Sequence, residues 1–389
     1  MLRSLYSGIS GLRSHQTMLD VTGNNIANVN TTAFKSSAVQ FQDTLSQLTS
    51  GARFAQANSG GTNPAQVGLG VQVAGIATNL TQGSTQSTGK NTDMLITGDG
   101  YFVTKQGNET TYTRAGSFGW DSMGRLTTAD GSLVQGWTAV NGVVSTGGTV
   151  GAIQVPRDVV APAKATTGAA VTGNLPADAA VGDTVVRDIQ VYNGVGAARS
   201  LTLTFAKTAA GWNVSGTDGT TTATGAMTFT NGTVATGGSL TVGGVTVDLS
   251  KATGYAGLKT ATISSQNGSQ VGALQSFSLS GDGTLVGSFS NGATVPIAQL
   301  ALASFVNPGG LEKAGESSYR ASVNSGDAVL GTPGTSGLGS VVAGALEMSN
   351  VDLSQEFTNL IVAQRGFQAN ARIITTSDEV LQELTNLKR

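Results

Sequence analysis

Residues 349–389 constrain this chain more than any other stretch. They contain no proline and a single glycine, Gly366. Apolar side chains recur there in alternating four- and three-residue steps: Leu353, Phe357, Leu360, then Phe367, Ala371, Ile374 and Leu381. That spacing forms the seam of a long helix built to lie against other helices. Asp352 followed by Gln355 reads as an N-cap with its capping-box partner. Gln364 and Asp378 are polar seam positions, which cost stability and fix register or partner number. A helix over 353–387 spans roughly 50 Å at 1.5 Å per residue. No neighbouring stretch could cover that seam, so its partner comes from the other end of the chain or from another chain.

The other end supplies a match. Leu2, Leu5, Ile9, Leu12, Leu19 and Ile26 keep a three-four heptad, with Gln16 and Gly23 at its two weak positions. Both termini therefore read as coiled-coil helices. The alternative is two amphipathic helices packed on one globular core. One such pairing is marginal, and burial against several neighbours tips the balance. The terminal helices are thus expected to be poorly ordered alone and to fold on assembly.

Between them the character changes. Glycine is abundant (55 residues) and charged residues make up only 11% of the 389-residue chain. An average domain carries about 25% charge, so many copies of this chain can lie side by side with little repulsion. A net charge of −2 gives no electrostatic case for nucleic acid or an anionic membrane. Cysteine is absent, which removes thiol catalysis and most zinc sites. No run of apolar residues is long enough for a membrane span, and no apolar core of a cleaved signal follows Arg3 and Arg13.

The middle follows the strand period. Met94-Leu95-Ile96, Tyr101-Phe102-Val103, Tyr112, Phe118 and Trp120 are punctuated by turns at Asp99-Gly100, Gly107-Asn108 and Asp130-Gly131. Leu201, Leu203 and Phe205 alternate, as do Trp212 and Val214; Asn231-Gly232 and Gly243-Gly244 are hairpin signals. Phe277, Leu279, Leu285 and Phe289 resume the first pattern. Residues 51–66 read as irregular, and 156–176, with Pro156, Pro162 and Pro176, as a linker. The fold class is mainly β with terminal α-helices, a nested plan in which the coiled-coil ends enclose two antiparallel β domains. Residues 1–30 with 350–389 form the helical part, 31–70 a connection, 71–157 with 276–349 the first β domain, and 158–275 an inserted one.

Parts for catalysis are scarce. The one histidine, His15, flanks the helical seam. No nucleophile elbow, P-loop or dinucleotide fingerprint occurs. Asp218-Gly219 and Asp282-Gly283 lack the ladder of a calcium loop and read as hairpin turns. Glu312 and Glu316 read as a solvated pair. The residues thus favour a structural, self-assembling protein over an enzyme, with no catalytic, cofactor or metal site. A secreted β-rich adhesin or binding module is the reading from a different class.

Several long motifs resemble a known family. Leu5-Tyr6-Ser7-Gly8-Ile9-Ser10-Gly11-Leu12, with Asn24-Asn25-Ile26-Ala27-Asn28-Val29-Asn30-Thr31, is similar to the N-terminal signature of bacterial flagellar rod and hook proteins. Asn350-Val351-Asp352-Leu353 and Ala363-Gln364-Arg365-Gly366-Phe367-Gln368-Ala369-Asn370 resemble its C-terminal counterpart. Gly98-Asp99-Gly100-Tyr101-Phe102 and Tyr112-Thr113-Arg114-Ala115-Gly116-Ser117-Phe118 resemble its shared β segment. The run from Asn63 to Val71, and the large insertion, are more like hook members than the shorter distal rod or hook-associated ones. Ala33, before Phe34-Lys35, departs from the glycine usual there. Within 159–275 only Gly173-Asn174-Leu175 matches.

The resemblance implies a structural subunit of the flagellar hook that self-assembles into a curved hollow helical tube and acts as a universal joint from rod to filament. It implies export uncleaved through the flagellar type III apparatus to the cell exterior. It also implies a rod protein at the proximal end, and cap and hook–filament junction proteins at the distal end. The terminal helices would line the tube's inner wall, with Asn24, Asn25, Asn28, Thr31, Phe34, Asn350, Asp352, Gln364, Arg365 and Asn370 as shared motif residues. Glycine- and proline-rich joints at 51–66 and 156–176 would let outer domains slide while inner helices hold.

Overall fold

The structure, a computed structural model, describes residues 2–56, 60–140, 142–155 and 159–386, with Leu2 by backbone only. The chain forms two compact units. The first comprises Met1–Val155, Leu279–Leu285 and Pro296–Arg389; the second comprises Pro156–Ser278 and Val286–Val295.

In the first unit, helix α1 (Leu2–Ala27) and helix α2 (Leu353–Asn386) pack antiparallel. Gly8 faces Ile373, Gly11 faces Asn370, His15 lies on Gly366, and Asn25 bonds Glu356. The register moves one residue up α1 for each residue down α2. The expected cap is present: the Asp352 carboxylate accepts from the amides of Ser354 and Gln355 at 2.8 and 3.2 Å. The reciprocal half of the box differs, because Gln355 turns its side-chain amide forward to Asn359.

After α1 the chain makes a two-stranded antiparallel arm. Ser37–Asp43 pairs with Val71–Thr78, and Ser46–Ser50 pairs with Ala65–Gly68. The expectation of irregular structure over 51–66 is corrected here. An Arg53–Thr62 bridge carries the pairing toward the tip, with 57–59 outside the described residues. Residues such as Phe54 sit on the arm almost fully exposed, so burial periodicity gave no strand signal.

The β body of this unit is antiparallel. Tyr101–Gln106 pairs with Glu109–Thr113, Leu133–Val140 and Leu302–Ser304. Ser318–Arg320 extends the sheet from Thr113. The strand beginning at Tyr101 is buried on both faces. On one, Tyr101, Tyr112, Tyr319, Trp137 and Phe305 interlock, with Tyr112 edge-on to Phe305 at 4.8 Å. On the other, Phe102 meets Phe118 at 5.1 Å. A side chain at Gly116 would drive a Cβ to 1.6 Å from the Met94 carbonyl, so this motif glycine is fixed by close backbone approach.

Most of the second unit is one sheet; Val160–Ala161 and Gly272–Leu279 pair with each other outside it. The order of the sheet runs Thr184–Tyr192, Ala198–Thr208, Gly211–Thr217, Thr222–Thr230, Thr233–Thr236, Val245–Thr253, Gly168–Asn174, Thr262–Gln266. Leu201, Leu203, Phe205, Trp212 and Val214 are buried, as their alternation requires. Asn231 and Gly232 both have positive φ (53° and 79°), the hairpin geometry that an Asn-Gly pair favours. The linker expectation for 156–176 is corrected. Residues 156–158 lie outside the described residues, but Gly168–Asn174 is an interior strand that buries Ala169 and Val171. It runs parallel to Val245–Thr253, a pairing that local turn signals do not encode.

Burial holds the phenols of Tyr101, Tyr112 and Tyr319 above their ordinary value of 10.0. The unfolded chain therefore sheds these protons first. The stability they contribute is full below that value and is lost as pH rises toward the folded values. Urea unfolding of the whole chain between about pH 9 and about pH 11 should show falling stability, and Tyr319→Phe should flatten the fall. An unchanged slope in that variant removes Tyr319 from the account.

Candidate functional site

The two chain ends meet the β body at one place, and three layers of contact build it. The first is the helix pair. Its closest face is made of small residues, not of the apolar seams. Gly8, Gly11 and Ser14 are buried on α1, and Ala363 is buried on α2 with Gly366 and Asn370 half-buried beside it. A Cβ on Gly11 would fall 2.8 Å from the Asn370 amide, and one on Gly366 would fall 2.5 Å from the His15 ring. His15 is thus a packing residue, 5.9 Å from the Phe41 ring. Asn370 spends its amide hydrogen on the Gly366 carbonyl at 2.9 Å.

This close approach leaves the larger apolar residues on the flanks. Of the sequence-derived seam, Ile9, Leu353 and Phe357 are exposed, the last at 51%. Leu5, Leu12, Leu19, Ile26, Leu360, Phe367, Ile374 and Leu381 are half-buried. The Leu2 side chain lies outside the described residues. Tyr6, Ile361, Val362, Ile373, Val380 and Leu384 are also exposed. A strict heptad reading omits them because they sit beside the seam. On α2 the described buried residues are only Glu356 and Ala363.

The second layer is an asparagine network at the helix–body junction. Asn25 is buried; its amide donates to the Ser37 carbonyl (2.8 Å) and to the Glu356 carboxylate (3.0 Å), and it accepts from the Ser37 amide (3.0 Å). It therefore joins the end of α1, the first strand and the start of α2. Asn350 accepts from the Ser36 amide at 2.8 Å and donates to the carbonyls of Asn79 and Thr81. Asn28 donates to the Asn24 carbonyl and accepts from the Thr31 hydroxyl, closing the turn after α1. Phe34 lies under the Lys313 ammonium at 5.3 Å. Gln364 and Arg365 are exposed on α2 and take no part in the junction.

The third layer is a buried ion cluster that sequence reasoning missed as a unit. Glu347, 1% exposed, receives the Lys35 ammonium and the Gly83 amide on one oxygen and the Arg114 guanidinium on the other. Lys35 also donates to the Thr81 carbonyl at 2.7 Å, and Arg114 to those of Gly98 and Gly100. Burial pulls the Lys35 pKa down, opposed by the bond to Glu347. Lys35 and Arg114 stand within recognisable motifs; the signal for Glu347 was a lone acid among the apolar residues Ala345, Leu346 and Met348. Next to the cluster, Ala33 is buried at φ 55°. The departure from glycine thus falls where a left-handed backbone is required.

Elsewhere the polar motifs serve the fold. Asp218 accepts from the amides and hydroxyls of Thr220 and Thr221, which hold its carboxyl far below the usual range. Asp282 accepts from the amide and hydroxyl of Thr284 in a hairpin turn. Glu316 occupies a tight turn at φ 53° after the strand that contains Glu312.

Two helices from opposite chain ends, clamped to a β body and carrying uncovered apolar flanks, define a subunit of an axial assembly. The comparisons agree. Residues 5–35 match the family model "Flagella basal body rod protein", 95–171 match "Flagellar hook protein FlgE/F/G D1 domain", and 342–387 match "Flagellar basal body rod FlgEFG protein C-terminal". The chain is 40% identical over 442 aligned residues to the flagellar hook protein FlgE of Borreliella burgdorferi and 39% over 465 to that of Treponema pallidum. It is 36% identical over 390 to the flagellar basal-body rod protein FlgG of Bacillus subtilis. Each alignment covers 100% of both chains. This chain belongs to the flagellar hook and basal-body rod protein family.

Glu347→Gln should destabilise the first unit by about 3–5 kcal/mol, because it leaves two buried cations uncompensated. Glu109→Gln, which removes the exposed partner of Arg320, should cost at most about 1 kcal/mol. Equal losses in urea unfolding would show that burial of the cluster is immaterial. Ala33→Gly should hold or raise stability by up to about 1 kcal/mol by relieving the left-handed conformation; a clear loss would mean that the methyl packing outweighs the backbone.

Proposed function

We infer that this chain is the structural subunit of a bacterial flagellar hook. It polymerises through its terminal helices into a hollow helical tube. The observation that carries the reading is the uncovered apolar surface on both flanks of the α1–α2 pair. Small residues satisfy the contact within the chain. Ile9, Leu353 and Phe357, with the half-buried Leu5, Leu12, Leu19, Ile26, Leu360, Phe367, Ile374 and Leu381, then need further copies to complete their burial. A contact that joins different faces of successive copies and does not close produces a tube.

In this reading the helical ends form the inner layer and the β parts form outer layers, divided as the sequence suggests. Curvature and torque transmission follow from outer parts that slide while inner helices hold. The partners are other copies, the rod below, cap and junction proteins above, and the type III export apparatus. Among the described residues, no helix is long and apolar enough to cross a membrane. Full-length similarity to several hook proteins, two of them at 40% and 39% identity, supports hook over rod.

Electron microscopy of the purified chain under salting-out conditions tests this. Curved tubes are expected from the full chain. Phe357→Asp with Ile361→Asp, and a chain lacking 1–30 and 350–389, should remain soluble. Straight tubes would point to a rod subunit. A full chain that never polymerises would return the binding-module reading to the front.

A further inference from the structure

The main sheet of the second unit begins at Thr184–Tyr192 and ends at Thr262–Gln266, so these strands are its two edges. An open sheet holds its edges apart. Here the sheet curls until the two edges lie side by side. Val185 and Val191 from the first edge strand, Ile263 from the last, and Ala261 just before it pack on the same core as Leu203 and Val247. The sheet is therefore a barrel with one joint that is not a ladder. Its interior is filled by side chains such as Phe205, Trp212 and Met227, so the open joint is not the mouth of a ligand cavity.

Side chains close that joint at both ends. At one end Lys259 donates its ammonium to the Thr184 carbonyl at 3.0 Å. Arg187 donates Nε across the gap to the Ala261 carbonyl at 2.7 Å and a second nitrogen to the Val186 carbonyl at 2.8 Å. At the other end the Tyr192 amide donates to the Thr166 hydroxyl oxygen at 2.9 Å, and the Tyr192 carbonyl accepts from the Thr166 amide at 2.9 Å. The Thr166 hydroxyl passes its own hydrogen to Gln266 at 3.2 Å. Thr184, Val186 and Tyr192 thus turn their backbone groups to the gap, and strand alternation puts Asp188 and Gln190 in the same set. Those two lie between the closures. Lys259 is exposed and Arg187 is half-buried, so water competes for both bonds.

We propose that the second unit opens along this seam first. Thr184–Tyr192 parts from Thr262–Gln266, with Lys259, Arg187 and Thr166 as the latches, while the ladders stay paired. Local opening follows the least costly set of bonds, and three side-chain latches are fewer than the nine registered pairs that hold Thr184–Tyr192 to Ala198–Thr208. The barrel wall can then widen and recover without breaking a strand pair. The inference concerns a single chain and stands apart from the polymer reading. Its rival is the joint between Thr233–Thr236 and Val245–Thr253, which has one registered pair, Thr233 with Thr253. Backbone bonds reinforce that joint, from Gly254 to Gly232 at 3.0 Å and from Leu249 to Gly238 at 2.8 Å.

The natural absence of cysteine gives a clean test. Val185→Cys reports the seam, Leu249→Cys the rival joint and Leu203→Cys a laddered wall; each of these positions is at most 1% exposed. The full-length variants are treated with a maleimide in native buffer, and the labelling rates are compared. Val185→Cys should react at least about tenfold faster than the other two. Adding Lys259→Met or Thr166→Val should speed it further and leave Leu203→Cys unchanged. Val191→Cys repeats the measurement at the Thr166 end, so a Val185→Cys chain that fails to fold does not end the test. Equal rates at the three positions, or a faster Leu249→Cys, overturn the proposal. Latch variants that speed all positions alike also overturn it, because the unit then unfolds as a whole.

Discussion

Everything at the chain ends depends on one buried carboxylate. Glu347 lies in the strand that leads toward α2, and Lys35 lies where the chain leaves α1. Their ion pair closes a loop of more than three hundred residues, and Arg114 ties that closure to the turn around Gly98 and Gly100. Replacing such a cluster with apolar residues can leave a fold as stable or more so. Its value is geometric. Only these donors, at these positions, satisfy both oxygens. Asn25 and Asn350 repeat the logic one layer out, each spanning segments far apart in sequence. Together they set the direction in which two long helices leave a rigid body.

The helix pair shows how periodicity can be correct about an element and incomplete about its contacts. The heptads identified both helices, and the cap at Asp352 placed the start of α2. The seam was assigned by hydrophobicity alone. Within one chain the helices meet through Gly8, Gly11, Ser14, Ala363 and Gly366, because small residues permit the closest backbone approach and the largest number of dispersion contacts. Leucines and phenylalanines are then displaced to the sides. In the structure the terminal helices are formed and paired. The reason is that the small-residue face and the Asn25–Glu356 bond supply a contact that a leucine-seam reading does not include.

In the β parts, legibility followed the locality of the signal. Hairpins at Asn231-Gly232 and Gly243-Gly244 and the buried alternation of Leu201, Leu203 and Phe205 are encoded within a few residues. The parallel pairing of Gly168–Asn174 with Val245–Thr253 joins strands some seventy residues apart, and nothing local announces it. The outer part of the arm, Ser46–Ser50 with Ala65–Gly68, was missed for a different reason: its residues are solvated on both faces, so no alternation marks those strands. Glu347 was overlooked because a single acid in an apolar run has meaning only once its distant partners are known.

The unequal lengths of the two helices have a consequence for growth. With Gly8 level with Ile373 and Asn25 with Glu356, the start of α1 falls level with Glu379. Among the described residues, 380–386 of α2 run on by about 10 Å past the start of α1. Val380 and Leu384 lie on that extension. In a stack of such subunits, one terminus of the polymer presents bare single helices and the opposite terminus presents paired ones. The two termini then differ in the surface an incoming copy meets, so addition and loss proceed at different rates at each. The difference in length between the first helix and the last thus adds to the polarity that any head-to-tail stack of copies has.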